Sequence, residues 1–73
     1  MDEVRFREAV RSLVARGTYP DNTAIRGLLG VPAWANRSGL KGEQTRWRVE
    51  EVERAGYDWE ASKRAKRLVK RQR

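Results

Sequence analysis

The 73-residue sequence predicts an all-α protein, a core of three helices followed by a basic C-terminal helix. Apolar residues recur at three- and four-residue spacing in several stretches. No stretch alternates apolar and polar residues as a half-buried strand would. Aspartates and glycines stand where such helices would begin and end.

The first helix is expected over residues 3–16. Phe6, Val10, Leu13 and Val14 repeat at helical spacing with Ala9 beside them, Asp2 precedes them as a candidate N-cap, and Gly17 follows as a candidate terminator. Thr18-Tyr19-Pro20-Asp21 then breaks the chain, because proline forces the residue before it toward an extended conformation. Asp21 is a good N-cap, so a short second helix is expected over 21–29, with Ala24, Ile25, Leu28 and Leu29 on its apolar side and Gly30 as its stop. Gly27 inside it weakens helix propensity and is read as the mark of a close helix crossing.

Residues 31–39 carry no period and several breakers, so they read as a loop, with Trp34 expected to fold back onto the core. A third helix is expected over 40–55. Its apolar residues Leu40, Trp47, Val49, Val52 and Ala55 cover about half the circumference, and Glu43, Arg46, Glu50, Glu53 and Arg54 form its wet face. Tyr57-Asp58 makes a junction. Asp58 is placed to cap a last helix over 59 to about 69, which carries a weak apolar stripe of Ala61, Ala65, Leu68 and Val69.

One domain is all that this length can hold, and a domain so small buries only about 60% of its unfolded surface. That leaves room for a modest core and none for a deep, water-excluding active site. The six aromatic residues must supply much of the packing, Trp47 and Trp59 foremost. Cysteine and histidine are both absent, which removes disulfides, thiolate ligands and imidazole chemistry. Only carboxylates remain as candidate metal ligands, and neither metal nor cofactor is expected. No apolar run approaches the roughly 18 residues of a membrane span, and the acidic Met1-Asp2-Glu3 start does not read as a signal peptide. A cytoplasmic, nucleoid-associated protein is the resulting expectation.

Catalysis is excluded on the same grounds. No phosphate-cradling glycine loop or Ser-x-x-Lys arrangement is present, and the close carboxylates Glu50, Glu51 and Glu53 read as a solvated face or as salt-bridge partners.

The formal charge of +7 sits in one place. Residues 1–62 hold ten basic and ten acidic side chains, whereas residues 63–73 hold seven basic side chains and no acidic one. The chain therefore divides into a balanced body, 1–62, and a basic helical tail, 63–73. Arginine outnumbers lysine thirteen to four, a bias that a GC-rich coding sequence also produces, so position carries more weight than frequency. Lys63, Arg64, Lys66, Arg67, Lys70 and Arg71 attract polyanions by screened Coulomb forces and counterion release. A membrane-surface role is disfavoured, because Leu68 and Val69 are the only large apolar residues there. An inert solubilising end is the bland alternative.

Within the body, charge is patterned along the third helix. Residues 26–48 carry Arg26, Arg37, Lys41, Arg46 and Arg48 against Glu43 alone, and residues 49–60 carry five carboxylates against Arg54. A helix that enters a groove by its N-terminal end needs that polarity. The stretch from Thr23 to Pro32 (Thr-Ala-Ile-Arg-Gly-Leu-Leu-Gly-Val-Pro) resembles the first helix and turn of helix-turn-helix DNA-binding domains. Thr45-Arg46-Trp47-Arg48 resembles part of a recognition helix. The family's turn is three or four residues, whereas about nine separate Gly30 from Leu40. The resemblance implies a three-helix, helix-turn-helix-like core with the helix over 40–55 in the major groove. Lys41, Gln44, Arg46 and Arg48 offer donors suited to phosphates or base edges. Arg26 joins that basic set, and Asn36, Arg37 and Ser38 form a polar loop tip that either reaches a phosphate or is simply solvated.

The leading expectation is a sequence-specific double-stranded DNA-binding protein, a transcriptional regulator or an accessory factor of a phage or mobile element. So small a chain offers few contacts, so useful affinity calls for a homodimer or adjacent copies along DNA. An RNA-binding module and an inhibitor or adaptor of a nucleic-acid enzyme are the alternatives. The acidic stretch over 49–60 keeps the second of these open.

Overall fold

The structure, a computed structural model, describes residues 3–30 and 42–72. Among these residues four helices follow in order: α1 over Glu3–Ala15, α2 over Asn22–Leu29, α3 over Gly42–Arg54 and α4 over Trp59–Ala65. No strand occurs among the described residues, where an isolated antiparallel bridge pairs Tyr57 with Lys70. The expected all-helical class is what the chain adopts. None of the described helices is long and apolar enough to cross a membrane.

α1 is the hub. Phe6, Val10, Leu13 and Val14 line one side of it and are buried, and both α2 and α3 pack on that side. Ile25 of α2, Trp47 and Val52 of α3 and Trp59 of α4 complete the core, with Tyr19, Leu29, Val49, Tyr57 and Leu68 packed around it. Phe6 meets Trp47 edge-on at 5.7 Å between ring centroids, and Tyr19 stacks on Trp59 at 5.9 Å. Both are geometries that ring quadrupoles favour. α2 and α3 do not approach each other closely along their backbones; each reaches the other mainly through α1.

Local sequence explains where each helix starts and stops. The Asp21 side chain accepts the Ala24 N–H at 2.7 Å, and Asp58 accepts the Ala61 N–H at 3.1 Å, so these two expected caps are in place; the third, Asp2, lies outside the described residues. α1 and α3 end in the same way. After α1, Gly17 takes a left-handed φ of 76°, and its N–H and that of Thr18 donate to the carbonyls of Val14 and Leu13. After α3, Gly56 has φ 96°, and its N–H and that of Tyr57 donate to Glu53 and Val52. This pairing is the Schellman motif, which satisfies carbonyls that the helix end would leave without donors. α4 also ends in a left-handed residue, here a lysine: Lys66 has φ 56° and ψ 35°, and its N–H and that of Arg67 both donate to the Ser62 carbonyl.

That turn corrects two expectations. The last helix stops at Ala65 rather than near residue 69, and the chain folds back along the α3–α4 junction. Val69 accepts the Asp58 N–H at 2.8 Å and donates its own N–H to the buried Ser62 hydroxyl at 2.8 Å, and Arg71 donates its N–H to the Gly56 carbonyl. The division between a 1–62 body and a 63–73 tail thus falls inside α4, and the basic segment is built into the folded unit. Two further expectations fail on α2. A Cβ built on Gly27 would meet nothing within 4 Å among the described residues, so this glycine marks no close crossing between them. Leu28, placed on the apolar side, is 41% exposed.

Candidate nucleic-acid interface

α3 sorts its side chains by direction. In the expected reading tetrapeptide, Thr45 and Arg46 are exposed and Trp47 is buried against Phe6. Arg48 turns inward, contrary to its expected place on a DNA-facing surface. Its guanidinium carbon lies 4.6 Å from the centroid of the Trp59 ring, and one terminal nitrogen donates to Asn22 Oδ1 at 2.8 Å and, more weakly, to the Pro20 carbonyl at 3.4 Å. A cation over a tryptophan face is among the stronger cation–π pairs. Burial pushes the Arg48 pKa down, and the nearby Tyr19 and Asp21 oppose that shift. The Arg48 Nε–H is buried with no acceptor among the described residues. Arg48 therefore joins α3 to the start of α2 and to Trp59.

The acidic half of α3 is paired across the molecule. Arg7 of α1 donates to Glu51 at 2.7 Å, to Glu50 at 2.6 Å and to Glu3 at 2.8 Å. Glu51 is only 1% exposed, and its Oε2 also accepts from Arg54 at 3.2 Å. Arg11 Nε lies 3.1 Å from the other Glu51 oxygen without the alignment of a hydrogen bond. A carboxylate this buried is sustainable only with charged partners. The bond from Arg7 holds the Glu50 carboxyl below its ordinary pKa, and the three carboxylates push the Arg7 pKa up. The reading of these glutamates as salt-bridge partners describes Glu50 and Glu51 well; the solvated-face reading does not fit Glu51.

The remaining candidates fall into three groups. Asn36, Arg37, Ser38 and Lys41, and with them Trp34, lie outside the described residues. Arg26 and Gln44 are half-buried and hold interactions within the protein. Lys63, Arg64, Lys66, Arg67, Lys70 and Arg71 are all exposed, on α4 and on the segment that folds back after it. Lys63 pairs loosely with Glu60 at 3.5 Å, and Arg71 sits 3.7 Å from Glu53 while donating to the Glu53 carbonyl at 3.0 Å. Arg64, Lys66, Arg67 and Lys70 make no ion pair among the described residues. The two groups of cations thus differ in use: Arg7 and Arg11 of α1 neutralise Glu50 and Glu51 of α3, and the C-terminal ones face water.

Sequence reasoning missed Arg7 as an organising residue and Asn22 as the partner of Arg48. Neither leaves a local signal, since the contacts span 44 and 26 positions. Comparison with known proteins finds no family model, no curated protein and no solved structure that matches the chain.

Proposed function

We propose that this chain binds double-stranded DNA, chiefly through the phosphate backbone, with the C-terminal basic segment as its main contact. One observation carries the reading. The exposed cations from Lys63 to Lys70 stand on a segment hydrogen-bonded to the body at Gly56, Asp58 and Ser62. Cations held in place lose less conformational freedom on meeting a charged backbone than those of a loose tail. Duplex DNA repays such an array through counterion release.

In this reading Thr45 and Arg46 are the α3 side chains left to face a groove, as the resemblance to helix-turn-helix domains suggests. Arg48 acts through the fold instead. The pairing with α1 withdraws Glu51 from the acidic surface that favoured an inhibitor or adaptor of a nucleic-acid enzyme and partly neutralises Glu50.

The test is fluorescence anisotropy of a labelled duplex over a salt series. The wild-type chain should bind at low salt with log K falling linearly in log salt. Removing Arg64, Arg67 and Lys70 together by substitution with glutamine should flatten that slope by about 0.9 for each phosphate no longer neutralised. Arg46→Ala should reduce discrimination between duplex sequences more than it reduces nonspecific affinity, and Arg48→Ala should act mainly on stability. No salt-sensitive duplex binding by the wild type, or an unchanged slope in the triple variant, would overturn the proposal.

A further inference from the structure

Between the start of α2 and the end of α4 lies an open groove of about 430 Å³. Arg48, Lys63 and Lys66 line it together with Tyr19, Asn22 and Thr23. We propose that this groove seats one phosphate group, which the two lysines and the polar side chains of Asn22 and Thr23 would hold together.

The argument is an imbalance between donors and acceptors. Lysine and arginine side chains donate and cannot accept. Asn22 accepts from Arg48 with its carbonyl oxygen, which points to its amide NH₂ as a donor toward the groove. Thr23 and Tyr19 add hydroxyls that can donate. Among the described residues the one carboxylate lining the groove is Asp21, and one of its oxygens already accepts the Ala24 N–H. Outside the lining, Glu60 lies 3.5 Å from Lys63. Three cations against these two carboxylates still leave a net positive, donor-rich concavity, which suits an oxyanion.

The backbone geometry keeps the lysines together. They are three positions apart across the last turn of α4, and the left-handed Lys66 reverses the chain there. Arg67 donates its N–H to the Ser62 carbonyl, which closes the turn. The site therefore rests on a defined turn and not on a flexible run of charge.

The phosphate could be a phosphodiester of duplex DNA, which rests on the DNA-binding reading, or a free phosphate, which does not. Two arms separate these sources. In the first, duplex binding is followed over a salt series for wild type, for Lys63→Gln, for Lys63→Gln with Lys66→Gly, and for a charge-matched control, Arg5→Gln with Arg16→Gln. In the second, backbone amide resonances are followed while inorganic phosphate is added to the intact chain. Glycine suits the positive φ at position 66, so the double variant should melt no lower than Lys63→Gln alone.

Saturable shifts at Asn22, Thr23 and Lys66 with inorganic phosphate, lost in the double variant, support the site. A slope reduced by about 0.9 in the double variant but not in the control assigns one backbone phosphate to it. If the wild type shows those shifts yet binds no duplex, the groove stands as a free-phosphate site and the DNA reading falls. If phosphate shifts nothing there and the double variant keeps the wild-type slope, the groove proposal is overturned. In that case the DNA reading still stands or falls on Arg64, Arg67 and Lys70.

Discussion

Arg7 shows how much one side chain can organise. Its guanidinium satisfies Glu3, Glu50 and Glu51 together, and Glu51 has almost no access to water to replace it. Removing one partner of a buried pair leaves the other charge uncompensated, whereas replacing both by apolar groups often costs little. Arg7→Leu should therefore lower the urea midpoint more than Glu51→Leu does, and the double substitution should recover part of the loss; equilibrium unfolding of the three variants checks this order. The neighbouring Glu50 gives a pH signature. Its folded-state pKa is depressed by Arg7, so its contribution is complete above the unfolded glutamate value of about 4.3 and fades as pH falls through the lowered folded value. Glu50→Gln should flatten that acid limb of stability against pH. The effect should be modest, because Glu50 is exposed and water screens the pair.

At the scale of the element, α3 serves two structures at once. Trp47, Glu51 and Val52 turn toward α1, Arg48 toward α2 and Trp59, and Thr45 and Arg46 toward water. That division explains why its apolar residues are spread widely around the helix: it is packed on two sides. α2 is simpler and weaker. Its eight residues bury Ile25 fully, and its interior glycine lowers helix propensity while a Cβ there would meet no described residue. Gly27→Ala should stabilise the protein by up to about 1 kcal/mol, read as a higher midpoint in thermal or urea unfolding.

At the scale of the molecule, the basic segment is also a structural clasp. Leu68 packs on the core, and Ser62, Asp58 and Gly56 each take up a backbone partner from residues 69–71. Ending the chain after Ala65 should cost roughly 2–4 kcal/mol, from about 1 kcal/mol for each hydrogen bond removed and the partial burial of Leu68. A protein of this length has only about 4–11 kcal/mol of stability in total, so the truncated chain should melt markedly earlier. Weakened DNA binding in a truncated protein would therefore mix lost charge with lost fold. Charge-removing substitutions separate the two.

The sequence by itself determined the helices, their caps and most of the core. Asp21 and Asp58 cap within three residues, Gly17 and Gly56 terminate within five, and the α1 stripe repeats every three or four. Such interactions are local, so the order of residues along the chain is enough to specify them. It also located the net charge. Only the packed fold shows which of the described charges stay exposed. Arg48 looked like a surface donor until Asn22 and Trp59 were placed beside it, and Glu51 read equally as solvated or as a salt-bridge partner until Arg7 closed over it. The basic tail looked like a continuing helix until Lys66 turned left-handed and Ser62 offered Val69 a partner. Each outcome depends on desolvation and on partners distant in sequence, and neither is encoded in the residue's own neighbourhood.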